Sequence, residues 1–385
     1  MRKTLQEEME IFMRKHYLDN IRFLTIFFVV IFHVYFYYNN IGTEAMFAGL
    51  KPYEGAVTFA GIYQYFVYPW FMLLLFVVAG ISARYALEKR TERQFLKERV
   101  DKILAPSTLG VLAFGWIGGY VIYLHTARGN MPESVPAFVR VIIILCCGIG
   151  ALWFCHVLFV AALILLLFRK IAGKCSADDE KICGWIDQKL SHGIPFVIVM
   201  AALYFIFWGG SHILNMPLIT SYRNGIYIPA FLAGYYLFSN ENVMEKIKNA
   251  VLPLGICAAV SGIFYIVRCY GMAYTDKEVL SRWDLNLYAF FMVLLVLGAG
   301  PKWLDFSNNF TNYMRKCCFG IYVLHIPVLL VINYFLAGKE LPLTVVYGIE
   351  LVGGFAVSIL LYEVIRRIPV LRYWILGIRK QRNNV

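Results

Sequence analysis

Apolar residues run through this chain in long blocks that short charged segments separate. Each block is about 20 residues long, the length that an α-helix needs to cross a hydrocarbon core of about 30 Å. The pattern predicts an all-α, polytopic membrane helix bundle that forms a single domain over residues 1–385. The ten predicted spans lie near residues 20–38, 63–87, 106–124, 149–168, 194–210, 223–240, 250–268, 284–300, 318–337 and 343–365.

The ambiguous element in this pattern is the segment from Ser134 to Gly148, which is apolar but short. The distribution of positive charge decides how to count it. With ten spans, the segments predicted to be inside hold 26 of the chain's 36 Lys and Arg residues. An eleventh span would exchange the sides of everything after it and bring the two totals near parity. We therefore predict ten spans with both termini cytoplasmic, and a re-entrant or interfacial segment at 134–148.

Composition excludes several other classes of protein. The chain is 60% hydrophobic and 16% charged, with a mean hydropathy of +0.64, which no soluble domain matches. The net charge of +12 forms no basic stripe on a soluble domain, so no nucleic-acid partner is expected. Residues 1–19 are charged and precede a full span without a small-residue cleavage site, which predicts a retained first helix.

The nine cysteines lie mostly inside apolar segments and suggest no disulfide framework. The nearest approach to a metal cluster is Cys175, Cys183 and His192. Their spacing matches no zinc pattern, so no metal is expected.

The first predicted span carries two ionisable residues, Arg22 at its inner edge and His33 well inside the hydrocarbon. Eleven residues of helix place them about 20° from eclipsed and about 16 Å apart along one face. A charge in a span costs about 2.5 to 3.5 kcal/mol, so such residues are candidates for function. If His33 lines a cavity, it could take a proton from a hydroxyl as a general base.

A purely structural interpretation of these residues stays open. Arg22 could reach the inner headgroups and pair with Asp19, while His33 bonds a neighbouring helix. The same choice between a shared cavity and an interhelical hydrogen bond applies to three further polar residues in the spans. These are His156, His325 and Glu363.

The segment between the second and third spans is strongly basic. Phe95, Arg99 and Lys102 lie at helical spacings, which predicts an amphipathic helix on the inner surface. Its basic surface continues with Arg90, Arg93 and Lys97. Such a helix could be anchored to the membrane by anionic lipids. Alternatively, its cations could clamp the diphosphate of an activated donor such as coenzyme A.

These features together resemble the acyltransferase 3 family of membrane O-acyltransferases, whose first helix carries Arg, ten residues, then His. In the family's inner loop a Phe precedes an Arg-x-x-Arg pair and a proline that opens the third helix. Phe95, Arg99, Lys102 and Pro106 stand in those places, with Lys102 replacing the usual Arg. Where the family's second helix ends in Ser-Gly, this chain has Ala79-Gly80 with Ser82 downstream.

The resemblance extends through nearly the whole chain. Leu152-Trp153-Phe154 matches the opening of the fourth helix, and Phe319 to His325 matches the ninth. The segments Tyr17–Arg22 and Leu361–Pro369 look like the glucan biosynthesis protein C branch, which is associated with succinylation of periplasmic glucans.

The resemblance implies an acyltransferase in a bacterial-type cytoplasmic (inner) membrane, acting across the lipid bilayer. It would move an acetyl or succinyl group from cytoplasmic acyl-CoA to a hydroxyl of an extracytoplasmic glycan or glucan. His33 would act as base or transient acyl carrier, with Arg22 holding charge along the path. The donor would bind Arg99, Lys102, Arg90 and Arg93. The cavity would be lined by Asp19, Trp153, His156, His325 and Glu363.

Two other classes of protein remain open from the sequence. A transporter or flippase for a glycan or lipid-linked precursor could use His33, His325 and Glu363 as a proton relay. A membrane scaffold would need separate structural reasons for each buried ionisable residue. The sequence leaves the oligomeric state open. If the acceptor is a large glycan, we expect it to touch segments 39–62 and 125–148.

Overall fold

The computed structural model describes residues 15–38, 57–122, 134–174, 179–190, 193–213, 215–217, 221–336 and 339–378. Within these residues helices dominate, which confirms the predicted all-α, multi-pass class. Nine helical runs in this part of the chain are long and apolar enough to cross a membrane. One small antiparallel pair, β1 (Asn215–Pro217) with β2 (Ser221–Arg223), interrupts the helices.

The helices are numbered in chain order. They are α1 His16–Phe36, α2 Val57–Val67, α3 Phe71–Glu88, α4 Glu92–Arg99, α5 Ala105–Gly110, α6 Trp116–Ile122, α7 Ala137–Cys147, α8 Trp153–Lys174, α9 Asp179–Leu190, α10 Gly193–Gly210, α11 Asn224–Tyr236, α12 Glu241–Asn249, α13 Val251–Cys269, α14 Lys277–Leu280, α15 Trp283–Ala299, α16 Asn309–Leu336, α17 Leu343–Ile365 and α18 Pro369–Leu376. Three π-helical turns, Val100–Leu104, Val111–Gly115 and Gly300–Leu304, and one 3-10 turn, Gly150–Leu152, adjoin them.

Two of the apolar helices in segments that the sequence places in the membrane are too short to cross a full bilayer core. Helix α11, which falls within the predicted span 223–240, has 13 residues, or about 20 Å of helix. Helix α7, in the segment 134–148, has 11 residues, or about 16 Å, and packs against α6. Helix α7 is therefore too short to be an eleventh span, which agrees with the prediction from the charge distribution.

The segments predicted to lie inside contact one another at one end of the bundle. Lys15 forms an ion pair with Glu241 at 3.0 Å, and the Tyr17 backbone N–H donates to Asp305 at 3.0 Å. We call this end the inner face. The opposite end, where Arg223 donates to the Pro69 carbonyl at 2.9 Å, is the outer face. That the inner face is cytoplasmic stays a prediction from charge.

The inner segment 88–105 differs from the prediction of a separate surface helix. Helix α4 begins at a capping box in which the Thr91 hydroxyl accepts from the Gln94 N–H. It then continues without a break through the π turn at Val100–Leu104 into α5. A π turn just before Pro106 adjusts the helix where proline lacks an N–H. The basic segment is thus the inner part of the third span.

Helices α3 and α11 cross closely through two glycines. A Cβ atom at Gly80 would lie 2.0 Å from the Phe231 carbonyl oxygen, and one at Gly234 would lie 2.2 Å from the Val77 oxygen. Small residues allow helix backbones in a membrane to approach to this distance. The family-like position Gly80 therefore has a structural reason to lack a side chain.

We expect Gly80→Ala to destabilise the protein by about 1 to 3 kcal/mol, because the added methyl group meets backbone rather than a movable side chain. Gly173→Ala is the matched control, since nothing lies within 4 Å of its Cβ position. Alanine there should be neutral or slightly stabilising. Thermal unfolding in detergent measures both variants, and equal midpoints would contradict the close crossing.

Candidate active site

Two histidines from different helices meet inside the bundle. His325 Nε2 of α16 lies 3.4 Å from His33 Nδ1 of α1, and the ring centroids are 5.0 Å apart. His325 is fully buried. The structure thus brings together two residues that are 292 positions apart in sequence.

Backbone contacts assign the tautomers of this histidine pair. His33 Nδ1 lies 2.7 Å from the Val29 carbonyl oxygen, and His325 Nδ1 lies 2.8 Å from that of Tyr322. Because a carbonyl oxygen only accepts, each Nδ1 carries the hydrogen in the neutral ring. Each Nε2 is then an acceptor, and His325 Nε2 faces the His33 Nδ1–H.

The remaining nitrogen of His33, Nε2, makes no hydrogen bond to any described residue. It is an unprotonated imidazole nitrogen held in a fixed orientation by the carbonyl of Val29. Such an atom can accept a proton from a hydroxyl or attack a carbonyl carbon. The geometry therefore gives His33 the basic or nucleophilic atom and His325 a supporting position.

Aromatic rings surround the histidine pair. Phe32 and Phe36 lie 5.3 and 5.8 Å from the His33 ring, measured between centroids. Tyr322 lies beside His325 and donates its hydroxyl to the Ala151 carbonyl oxygen. These rings restrict water around the pair, which strengthens polar interactions within it.

Trp153 belongs to a stack of aromatic rings. Its ring stacks on Tyr227 at 5.3 Å, and Tyr227 stacks on Phe76 at 4.7 Å. Its neighbour Phe154 lies 6.0 Å from Tyr322. Trp153 therefore belongs to the aromatic layer that packs behind the pair.

His156 makes an interhelical hydrogen bond of the kind that the structural interpretation predicts. Its Nδ1 lies 3.0 Å from the Leu152 carbonyl oxygen, which leaves Nε2 as the acceptor. The Thr108 hydroxyl donates to this Nε2 at 3.2 Å. Both nitrogens are thus satisfied, and His156 is not part of the histidine pair.

Arg22 lies toward the inner face on the same continuous helix as His33. It pairs with Asp19 at 2.9 Å, and its other terminal nitrogen donates to the Ser82 hydroxyl. Ser82 in turn donates to the Val78 carbonyl at 2.8 Å. The serine on the second span, although shifted from the family's usual place, reaches this arginine.

Arg99 lies close enough to Arg22 and Arg90 for their positive charges to repel one another. It is half-buried, lies over the Phe95 ring at 4.6 Å, and has no carboxylate partner among the described residues. Arg22 and Arg90 each pair with a carboxylate, whereas Arg99 forms no ion pair with a described residue and can therefore bind an anion. We call Arg22, Arg90 and Arg99 the inner arginine cluster.

The other predicted donor residues are arranged differently. Glu98 pairs with both Arg90 at 2.8 Å and Lys102 at 3.1 Å. Lys102 is 56% exposed, and Arg93 lies exposed on the first turn of α4. Of the four predicted donor residues, Arg99 therefore has the most buried charge and the least neutralised one.

A polar cavity of about 470 Å³ opens at the inner face. Arg315 and Lys316 line it with His16, Asn312 and Tyr313. His16 lies one turn before Asp19, and Cys318, one turn after Arg315, lies within electrostatic range of Arg22. Sequence reasoning missed this cavity, because its lining comes from the starts of two helices that are distant in the chain.

Glu363 does not lie with the histidine pair. It accepts a hydrogen bond from the Tyr313 hydroxyl at 3.1 Å and one from Arg366 at 2.6 Å. Tyr313 precedes His325 by twelve residues of α16, or about 18 Å of helix. The prediction that Glu363 lines a cavity with His33 is therefore wrong, since Glu363 lies at the inner end of α17.

A different carboxylate of α17, Glu350, is fully buried near the histidines. It accepts a hydrogen bond from the Tyr38 hydroxyl, and Tyr38 follows His33 by five residues. The sequence contained a signal for it, because a glutamate inside an apolar span is a candidate for function on the grounds of cost alone.

No group of three or more His, Cys, Asp or Glu side chains that could hold a metal occurs among the described residues. Cys175 and His192 lie outside those residues, so the arrangement of the Cys175, Cys183 and His192 group is not described.

The fold and this site define the class as a multi-pass membrane protein with a paired histidine inside the bundle and an inner arginine cluster. Residues 15–363 match the family model described as an acyltransferase domain. The chain belongs to this acyltransferase 3 family and is an acyltransferase. The transporter and scaffold alternatives are set aside on this basis.

Several relatives named glucans biosynthesis protein C align over almost their whole length. The protein of Shigella boydii serotype 4 is 20% identical over 385 residues, covering 94% of each chain. That of Escherichia coli K12 is 19% identical with the same coverage. That of Salmonella schwarzengrund is 19% identical over 379 residues, covering 94% of this chain and 95% of its own. No solved structure gives a significant match.

Proposed function

We propose that this protein moves an acetyl or succinyl group from a cytoplasmic acyl-CoA to a hydroxyl of an extracytoplasmic glycan, in a bacterial inner membrane. The observation that carries the proposal is that His33 Nε2 makes no hydrogen bond to a described residue and lies on the same helix as Arg22. A glucan acceptor is supported by the name of the relatives, glucans biosynthesis protein C.

The inner face has the charges that an acyl-CoA requires. Its phosphates would contact the inner arginine cluster, where Arg99 has no carboxylate to displace. Its nucleotide would enter the polar cavity at the same face, whose amide, hydroxyl and cationic side chains suit a ribose, a base and a phosphate. From there the thioester arm would run along α1 toward His33, about 16 Å away.

Transfer at His33 balances without an external proton source. His33 Nε2 takes the proton of the acceptor hydroxyl as its oxygen attacks the thioester carbonyl carbon. The carbon–sulfur bond then breaks, and the proton passes from His33 to the thiolate leaving group. His33 Nε2 can instead attack the thioester carbon itself, so that the carbon–sulfur bond breaks and the thiolate leaves; the hydroxyl then takes the acyl group from Nε2, and its proton neutralises the thiolate. Both routes need the same nitrogen.

The test compares envelope glycans, by mass spectrometry, from cells that express the protein and cells that lack it. Purified protein is incubated in parallel with acetyl-CoA or succinyl-CoA, and release of the thiol is followed. We expect one polymer to lose an ester when the protein is absent, and thiol to be released without any ion gradient. Unchanged esters together with intact thioesters would overturn the proposal.

A further inference from the structure

Outward of the histidine pair lies a second group of buried polar side chains. Tyr38 lies just past the end of α1, five residues or about 8 Å beyond His33, and its hydroxyl donates to Glu350 of α17. Asn333 of α16 faces the same carboxyl group, and Tyr347 lies one turn before Glu350 on α17. We call Asn333, Tyr347 and Glu350 the outer polar cluster.

Each member of the outer polar cluster has a buried polar atom that no described residue satisfies. These atoms are Glu350 Oε2, Asn333 Nδ2 and the Tyr347 hydroxyl oxygen. Glu350 is 0% exposed and Asn333 is 2% exposed. None of the three atoms makes a hydrogen bond of normal geometry to a described residue or contacts solvent, although Asn333 lies near the Glu350 carboxyl group.

Such atoms are costly in this environment. A buried polar group without a hydrogen bond costs about 1 to 3 kcal/mol in proteins, and more for a charged one. Three of them together, in a helix bundle that spans a membrane, point to a polar molecule that supplies the missing bonds. The cluster lies on the outer side of His33, opposite to the inner arginine cluster.

The chemistry of the three atoms selects the kind of molecule. One carboxylate oxygen accepts, one amide nitrogen donates, and one phenol does both. Neighbouring hydroxyls of a sugar both donate and accept, so two of them can satisfy all three groups. The ring of Tyr347, which packs edge-on against Tyr35 at 4.7 Å, adds an apolar surface of the kind that sugar rings contact.

We propose that Asn333, Tyr347 and Glu350 bind hydroxyl groups of the acceptor sugar on the outer side of His33. This inference rests on the proposed function and assigns it an acceptor site. The three residues are acceptor-binding residues: they set the affinity for the acceptor and leave the donor site and the chemistry at His33 Nε2 in place.

The test measures acceptor kinetics of Glu350→Gln and Tyr347→Phe with the glycan identified in the cell comparison, after mild alkali has removed its esters. We expect the acceptor KM to rise about tenfold for Glu350→Gln and severalfold for Tyr347→Phe, because each loses a hydrogen bond to the sugar. The kcat at saturating acceptor and the affinity for acyl-CoA should change less than twofold.

Glu340→Gln and Tyr334→Phe are the matched controls, since both residues are exposed near the outer face. An unchanged acceptor KM in both cluster variants would overturn the inference. A parallel loss of acyl-CoA affinity and thermal stability would also overturn it, because it would show a structural role. If the wild-type protein forms no ester at all, the proposed function fails instead.

Discussion

A folded His33→Ala protein is expected to lose acyl transfer by about a hundredfold to ten-thousandfold while it still binds acyl-CoA. The reason is that His33 Nε2 is free of hydrogen bonds to the part of the chain that the structure describes, and either chemical route needs it. The inner arginine cluster lies about 16 Å away along α1, so donor affinity should remain. Ester content of the glycan and acyl-CoA affinity in detergent measure the two effects.

His156→Ala is the matched control for this experiment. Its two ring nitrogens are satisfied by Leu152 and Thr108, so the change removes a structural hydrogen bond and should reduce transfer only severalfold. Full transfer activity in correctly inserted His33→Ala protein would exclude both the base and the acyl-carrier roles. Equal losses in the two variants would indicate that the His33 effect is structural.

The sequence was sufficient to predict the helical class and the common face of Arg22 and His33. Both follow from local rules, since a continuous apolar run forms a helix and helical periodicity fixes the angle between positions in it. The partner of His33 was less predictable. His325 was a candidate, yet only the packing of α16 on α1 brings its Nε2 to 3.4 Å from His33.

The two glutamates of α17 show where sequence reasoning failed. Glu363 lies in a family-like motif, and the sequence predicts that it lines the cavity. In the structure it lies among Arg366, Arg367 and Tyr313 at the inner end of the helix. Glu350 has no such motif, yet it is the glutamate that packing buries. Depth in the membrane and rotation about the helix axis decide between them, and both depend on the neighbouring helices.

The inner basic segment shows a second limit. Regular helical spacing grouped Phe95, Arg99 and Lys102 as one surface, and the structure keeps Phe95 buried with Arg99 over its ring. The π turn at Val100–Leu104 comes between Arg99 and Pro106 and changes the helical register there. Lys102, which lies in that turn, points to Glu98 instead. No spacing rule predicts such a turn.

This difference between Arg99 and Lys102 leads to an expected result for donor binding. Arg99→Ala should weaken acyl-CoA affinity by about tenfold to a hundredfold, since a half-buried guanidinium without a carboxylate partner makes charge-assisted bonds to phosphate. Lys102→Ala should weaken it about threefold or less, because Lys102 is exposed and already paired. Isothermal titration with coenzyme A and with succinyl-CoA in detergent measures both.

A second readout separates a specific contact from general charge. Coenzyme A should raise the unfolding midpoint of the wild-type protein, since it relieves the repulsion between Arg22 and Arg99, and this rise should disappear in Arg99→Ala. Lys97→Ala removes one exposed positive charge from the same helix and should keep it. Equal weakening by all three variants would mean that the donor senses only the net charge of the inner face, and the inner arginine cluster would then not be its phosphate site.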